Sequence, residues 1–148
     1  MKSFILIILL IFPTKALCLD DQYDENARGG ITKQRQAAIY FTTARKMHLN
    51  LDFKGAIEYY SKILELYPDA DYVYVYRGNA KSALRNYSDA IDDYTKAIEI
   101  NMNNDDAYFE RGRARILAGY KNEGCNDLNT AEQFGNEDSL RYLTKFCN

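Results

Sequence analysis

The sequence predicts an all-α fold, a solenoid of antiparallel helix pairs closed by one capping helix, and three observations predict it. The first is a fixed period: the step from Tyr40 to Tyr74 is repeated from Tyr74 to Tyr108, and Ala56, Ala90 and Gly124 keep the same register. Between the last two copies, Tyr74-x-x-Arg77-Gly78-x-Ala80 answers Tyr108-x-x-Arg111-Gly112-x-Ala114. The second is apolar spacing of three and four within each period, the mark of a helix with one buried face. The third is a small residue, Ala44, Gly78 or Gly112, at one fixed place in each unit. A unit of about 34 residues cannot bury its apolar face alone and stacks on its neighbours.

Residues 1–18 stand outside that pattern and read as a signal peptide. Lys2 gives a positive start, Phe4 to Phe12 is an unbroken apolar run, and Pro13 ends it before Ala16-Leu17-Cys18. Small residues then occupy the two positions that a signal peptidase reads. The run from Phe4 to Phe12 is too short for the roughly 30 Å of a bilayer core, so no stable membrane anchor is expected. A lipoprotein would keep Cys18 as its first mature residue, but Leu17 stands where a small side chain is wanted. The expectation is export, to a periplasm or a secreted space. Cleavage after Cys18 removes Lys2 and Lys15 and no acid, which takes the 19 basic side chains to 17 against 21 acidic ones, and the net charge from −2 to −4. Without a basic run, the chain lacks the electrostatic footprint of a nucleic-acid binder.

Residues 19–36 read as a flexible lead-in and the start of the first helix. Leu19 to Arg28 is polar and acidic, and Gly29-Gly30 is expected to break any helix. The first unit, 37–70, carries Tyr40, Ala44, Met47 and Leu51 on one side. A break at Asn50–Asp52 follows, then Phe53, Ala56, Ile57, Tyr60, Ile63 and Leu64, with Pro68 ending the second helix. In the second unit, 71–104, Asn86 marks the break and Asn101–Asn104 close the unit. Tyr72-Val73-Tyr74-Val75-Tyr76 would read as a strand in isolation. Its counterparts in register, Ala38–Thr42 and Asp106–Glu110, do not, so the repeat makes it helix. In the third unit, 105–138, the breaks are Gly119 and Gly135-Asn136. Residues 139–148 form the capping helix, with Leu140, Leu143 and Phe146 on one side.

These residues resemble the tetratricopeptide repeat (TPR). The first unit offers Tyr40, Ala44, Phe53, Ala56, Tyr60, Ile63 and Pro68 to the family pattern. The second offers Tyr74, Gly78, Tyr87, Ala90, Tyr94 and Ala97, with Met102 in place of proline. The third offers Tyr108, Gly112, Gly124, Leu128 and Ala131, with Lys121 where an aromatic belongs. The resemblance implies a right-handed superhelix whose concave face is lined by the first helix of each unit and binds a protein or peptide. Carried over, that face holds Phe41, Arg45 and His48, then Tyr72, Val75, Tyr76 and Asn79, then Asp106, Phe109 and Arg113. Aromatics mixed with arginine are the composition of binding hot spots; packing between units is the other reading of Phe41, Val75 and Phe109. The family's two-carboxylate clamp is not implied, because Phe41, Tyr76, Asp106 and Glu110 hold most of its positions.

Chemistry is sparse. His48 is the one histidine, with no cysteine or second histidine near it, so neither a metal site nor a catalytic base is expected. No glycine-rich phosphate loop or nucleophile elbow occurs, and no cofactor is implied. Acid pairs such as Asp20-Asp21, Asp92-Asp93 and Asp105-Asp106 read as solvated or capping residues. Arg77 and Arg111 are followed, at one and the same spacing, by Asp93 and Asp127, while the first unit has Thr43 and Tyr59 there. Presence together and absence together point to a structural pair across each hairpin, with ligand binding by these arginines as the other reading. Cys125 and Cys147 lie equally far from Asn136, one before it and one after. Residues equidistant from a turn come level in an antiparallel pair, so an oxidising compartment favours a disulfide between them; two buried free thiols are the other reading. The functional expectation is an exported, non-enzymatic interaction module. Its rival is a structural module that self-associates through its N-terminal segment or capping helix; the chain is expected as a monomer or weak homo-oligomer.

Overall fold

The computed structural model describes residues 25–147. The expected signal segment, its cleavage site and Asp20-Asp21 lie outside these residues. Seven helices follow in order: α1 Glu25–Leu49, α2 Phe53–Leu66, α3 Asp71–Ala83, α4 Tyr87–Ile100, α5 Asp105–Leu117, α6 Lys121–Gln133 and α7 Ser139–Phe146. Each packs on the helix before and after it, and α3 also touches α5. No strand occurs among the described residues. The fold is therefore the all-α solenoid that the period predicts, and the tyrosine-rich segment is helical within α3.

One expectation is corrected. Gly29-Gly30 does not break the chain's first helix, because α1 runs continuously from Glu25 to Leu49. Glycine costs about 1 kcal/mol in a helix interior but does not forbid the helical region. Ala27 and Arg28 before it, and Lys33 to Ala38 after it, are good helix formers that carry the turn through.

The core forms between units. Ala44, Ala56, Tyr60, Ile63 and Val73 are buried around the first hairpin, Ala90, Tyr94, Ala97 and Ala107 around the second, and Leu128 and Ala131 in the third. The small residues mark where paired helices cross. A Cβ on Gly78 would lie 2.6 Å from Cε1 of the buried Tyr94, and one on Gly112 would lie 2.8 Å from the Gly124 carbonyl oxygen. In the third unit the crossing pair is Gly112 with Gly124, since a Cβ on Gly124 would lie 2.6 Å from the Gly112 carbonyl oxygen. In the third unit backbone meets backbone.

Turn geometry repeats with the same period. Leu51, Arg85 and Gly119 have φ of 63°, 60° and 95°, each closing the turn inside a hairpin. Two of the three are not glycine, so this left-handed turn leaves no compositional signal. Caps are local: the Asp52 side chain accepts from Gly55 N–H, and the Asn104 side chain accepts from Ala107 N–H.

The arginine pairs sit at the seams. Arg77 Nε and Nη2 donate to the two Asp93 oxygens at 2.9 and 2.7 Å, and Arg77 Nη1 donates to Ser61 Oγ at 3.0 Å. Arg111 repeats this, donating to Asp127 at 2.9 and 2.8 Å and to Thr95 Oγ1 at 3.2 Å. Each guanidinium thus joins three helices, two of its own unit and the second helix of the unit before. Lys81 adds a second cation to Asp93 at 2.8 Å, and Arg115 adds one to Asp127 at 2.7 Å. Sequence reasoning misses Lys81 with Arg115 and Ser61 with Thr95, although each couple recurs with the period.

Helix α7 continues the register. Tyr142 falls one period after Tyr108, but Phe146 falls where Ala44, Gly78 and Gly112 lie in the earlier units. The Cys125 and Cys147 sulfurs are within bonding distance, with Cα atoms 5.8 Å apart.

Candidate functional site

An aromatic cluster connects the first two units. The Phe41 ring meets Tyr60, Tyr72 and Tyr76 edge-on, at centroid distances of 6.1, 5.9 and 5.3 Å. Tyr76 in turn stacks on Tyr60 at 5.8 Å. Helical spacing explains the grouping: Tyr72 and Tyr76 are one turn apart on α3, and Phe41 on α1 is the counterpart of Val75 one unit earlier. Tyr72 remains 51% exposed, so the cluster has a packed floor and an open edge.

Two clefts flank Tyr76 and Asn79. The first, of about 170 Å³, is lined by Arg45, His48, Tyr60, Tyr76 and Asn79. Burial pushes the Tyr60 hydroxyl up to about 12, reinforced by Tyr76 and opposed by Arg45. Burial also holds His48 below its ordinary value of 6.5. Its Nδ1 is buried without a hydrogen-bond partner, and its ring lies edge-on to Phe53 at 5.1 Å. The second cleft, of about 200 Å³, is lined by Tyr72, Val75, Tyr76, Asn79, Asp106 and Glu110. Asn79 Oδ1 accepts from the Tyr94 hydroxyl at 2.7 Å, which fixes the amide between the clefts.

The third unit contributes differently. Phe109 is only 7% exposed and meets Tyr142 of α7 at 5.2 Å. Arg113 lies over both rings, 5.4 Å from Phe109 and 5.1 Å from Tyr142, and donates to the two Glu110 oxygens at 3.0 and 2.8 Å. The structure thus brings Phe41, Arg45, Tyr72, Tyr76 and Asn79 to the two clefts, and places Phe109 and Arg113 beneath the capping helix. Asp106 and Glu110 are the acids of the groove; the family resemblance places Asp106 on the concave face and both acids at clamp positions. Burial raises Glu110 above the ordinary 4.5, Arg113 opposes this by charge and hydrogen bonding, and Asp106 and Asp138 add to the rise. Burial and then Asp105 raise Asp106 above its ordinary 3.8.

Among the described residues, no group of three or more His, Cys, Asp or Glu is placed to hold a metal ion. No described helix is long and apolar enough to cross a membrane.

The arrangement defines a helical-hairpin solenoid with an aromatic groove. Residues 72–104 match the family model described as Tetratricopeptide repeat, and the seven helices fit three such units and a capping helix. Solved TPR domains share the fold. The first TPR of Spaghetti (RPAP3) bound to an HSP90 peptide is 22% identical with a TM-score of 0.72, over 76% of this chain and 91% of that one. The second TPR domain of human RPAP3, in complex with an HSP70 peptide, is 24% identical with a TM-score of 0.73, over 78% and 98%. The TPR2B domain of yeast Sti1, in a pHsp70 complex, is 22% identical with a TM-score of 0.70, over 76% and 93%. No curated protein matches the chain in sequence. At these identities the likeness establishes the fold; the groove's chemistry belongs to this chain.

Proposed function

We propose that the protein is an exported interaction module that holds a protein or peptide against the Phe41–Tyr72–Tyr76 groove and catalyses no reaction. The observation that carries this reading is the open aromatic edge between two clefts, with Tyr72 half exposed on a floor already packed by Phe41 and Tyr60. A preformed surface of this kind binds with little ordering cost. The two RPAP3 TPR domains named above are described with bound peptides, which supports peptide binding as the use of the fold. The test is affinity capture from the compartment that receives the protein, comparing the wild type with a Tyr72→Ala/Tyr76→Ala variant of unchanged helicity. Loss of a specific partner is expected, and equal capture by both would refute the groove.

Export is supported by the sequence at 1–18, and a disulfide by the placement of Cys125 and Cys147. Closing a loop of 22 residues would contribute about 3 kcal/mol on the chain-entropy view. Intact mass of the secreted protein is expected to show a chain beginning at or near Leu19 and two thiols that resist alkylation until reduced. A chain that retains residues 1–16, or thiols that alkylate freely, would overturn the respective half.

A further inference from the structure

The second cleft has a chemistry of its own. Tyr72 and Tyr76 form its aromatic wall, Val75 contributes apolar surface, and Asp106 and Glu110 supply its charge. Glu110 already holds both its oxygens to Arg113. Asp138, which adds to the negative field there, pairs with Arg141 at 3.2 Å. Asp106 differs: Oδ1 accepts one bond, from Asn136 Nδ2 at 3.3 Å, and no ion pair reaches it among the described residues. It is exposed, and Asp105 beside it carries the same charge. A carboxylate without an ion pair, in a cleft that two tyrosines and an apolar residue also line, suits a side chain with an alkyl stem and a cationic end. An incoming carboxylate would meet like charge instead.

Resting on the groove reading above, we infer that this cleft selects a peptide carrying an arginine or lysine. The cation sits against Asp106, and its stem lies along Tyr72 and Tyr76. The Arg45–His48 cleft on the other side of Tyr76 and Asn79 carries the opposite charge. The groove is therefore polar along its length, and the basic residue fixes the direction in which a peptide lies. This preference is the reverse of what a clamp for acidic chain ends requires.

A random twelve-residue peptide library displayed on phage, selected on the purified chain, supplies the probes. Fluorescence anisotropy of the selected peptides is then read against wild type, Tyr76→Ala and Asp106→Asn, each checked for native helicity. The expected result is a recurring Lys or Arg, with affinity about tenfold weaker for Asp106→Asn, as for loss of a charge-assisted hydrogen bond. Replacing the recurring base by Glu abolishes binding, and added salt weakens it. Peptides that require Tyr76 but lack a base and ignore Asp106→Asn would leave the groove standing and overturn this inference. Peptides indifferent to Tyr76→Ala, or a library that yields none, would overturn both.

Discussion

Asp127 is where the seams can be tested most sharply. It is buried and accepts three charge-assisted bonds, two from Arg111 and one from Arg115. The Asp127→Asn change keeps the volume and removes the charge, leaving two guanidinium groups without their counter-ion. Breaking a buried pair by removing one partner costs about 3–5 kcal/mol. The Arg111 and Arg115 side chains are 12% and 27% exposed, so water recovers part of that loss. The expected destabilisation is roughly 2–3 kcal/mol. The control is Glu58→Gln, whose ion pair with Lys62 has side chains 64% and 37% exposed and should leave the unfolding midpoint unchanged within error. Urea denaturation followed by circular dichroism at fixed salt, with the cysteines kept in one redox state, reads both variants. A double-mutant cycle with Arg111→Met isolates the pairwise part of the repeated pair. An Asp127→Asn variant no less stable than Glu58→Gln, or coupling near zero, would show that the repeated Arg–Asp spacing is incidental to the fold.

Gly124→Ala is expected to destabilise although alanine is the better helix former by about 1 kcal/mol. Its Cβ would lie 2.6 Å from the Gly112 carbonyl oxygen and 2.7 Å from Ile116 Cγ1, and overpacking of this kind costs roughly 1–3 kcal/mol; a variant more stable than wild type in the same urea assay would contradict the backbone contact. Asp71 supplies a pH signature. Burial raises its carboxyl, but hydrogen bonds from Asn101 and Asn104 and the backbone outweigh it, holding the group below the ordinary 3.8. A depressed carboxyl stabilises above its unfolded value and loses that contribution as pH falls through the folded one. Asp71→Asn should therefore be less stable than wild type at pH 7, with the gap closing as pH falls below 3.8; a gap that stays constant with pH would refute the assignment.

Element order and fold class were legible in the chain alone. A fixed period in Tyr40, Tyr74 and Tyr108, with small residues at Ala44, Gly78 and Gly112, is a statement about helix faces, and helix faces are local. It overrode the strand-like Tyr72–Tyr76 because register carries more information than the propensity of five residues. The Arg77–Asp93 and Arg111–Asp127 spacings were legible for the same reason: both members recur with the repeat. The Gly29-Gly30 expectation failed because glycine weakens a helix without terminating it, and the flanking residues decide.

Which groove residues lie open to a ligand follows from packing and not from the period. Phe41 and Phe109 carry the same side chain at the same first-helix position, two periods apart. One joins the open cluster with Tyr72 and Tyr76, and the other lies under Tyr142. The difference comes from α7, which covers the third unit and draws Arg113 onto Phe109 and Tyr142. Likewise, Lys81 and Arg115 join the Asp93 and Asp127 pairs only because helix crossing brings their ends to the same carboxylate. Period fixes which face of a helix is buried. Which neighbour covers that face, and how closely, is set by the packing of residues far apart in the chain.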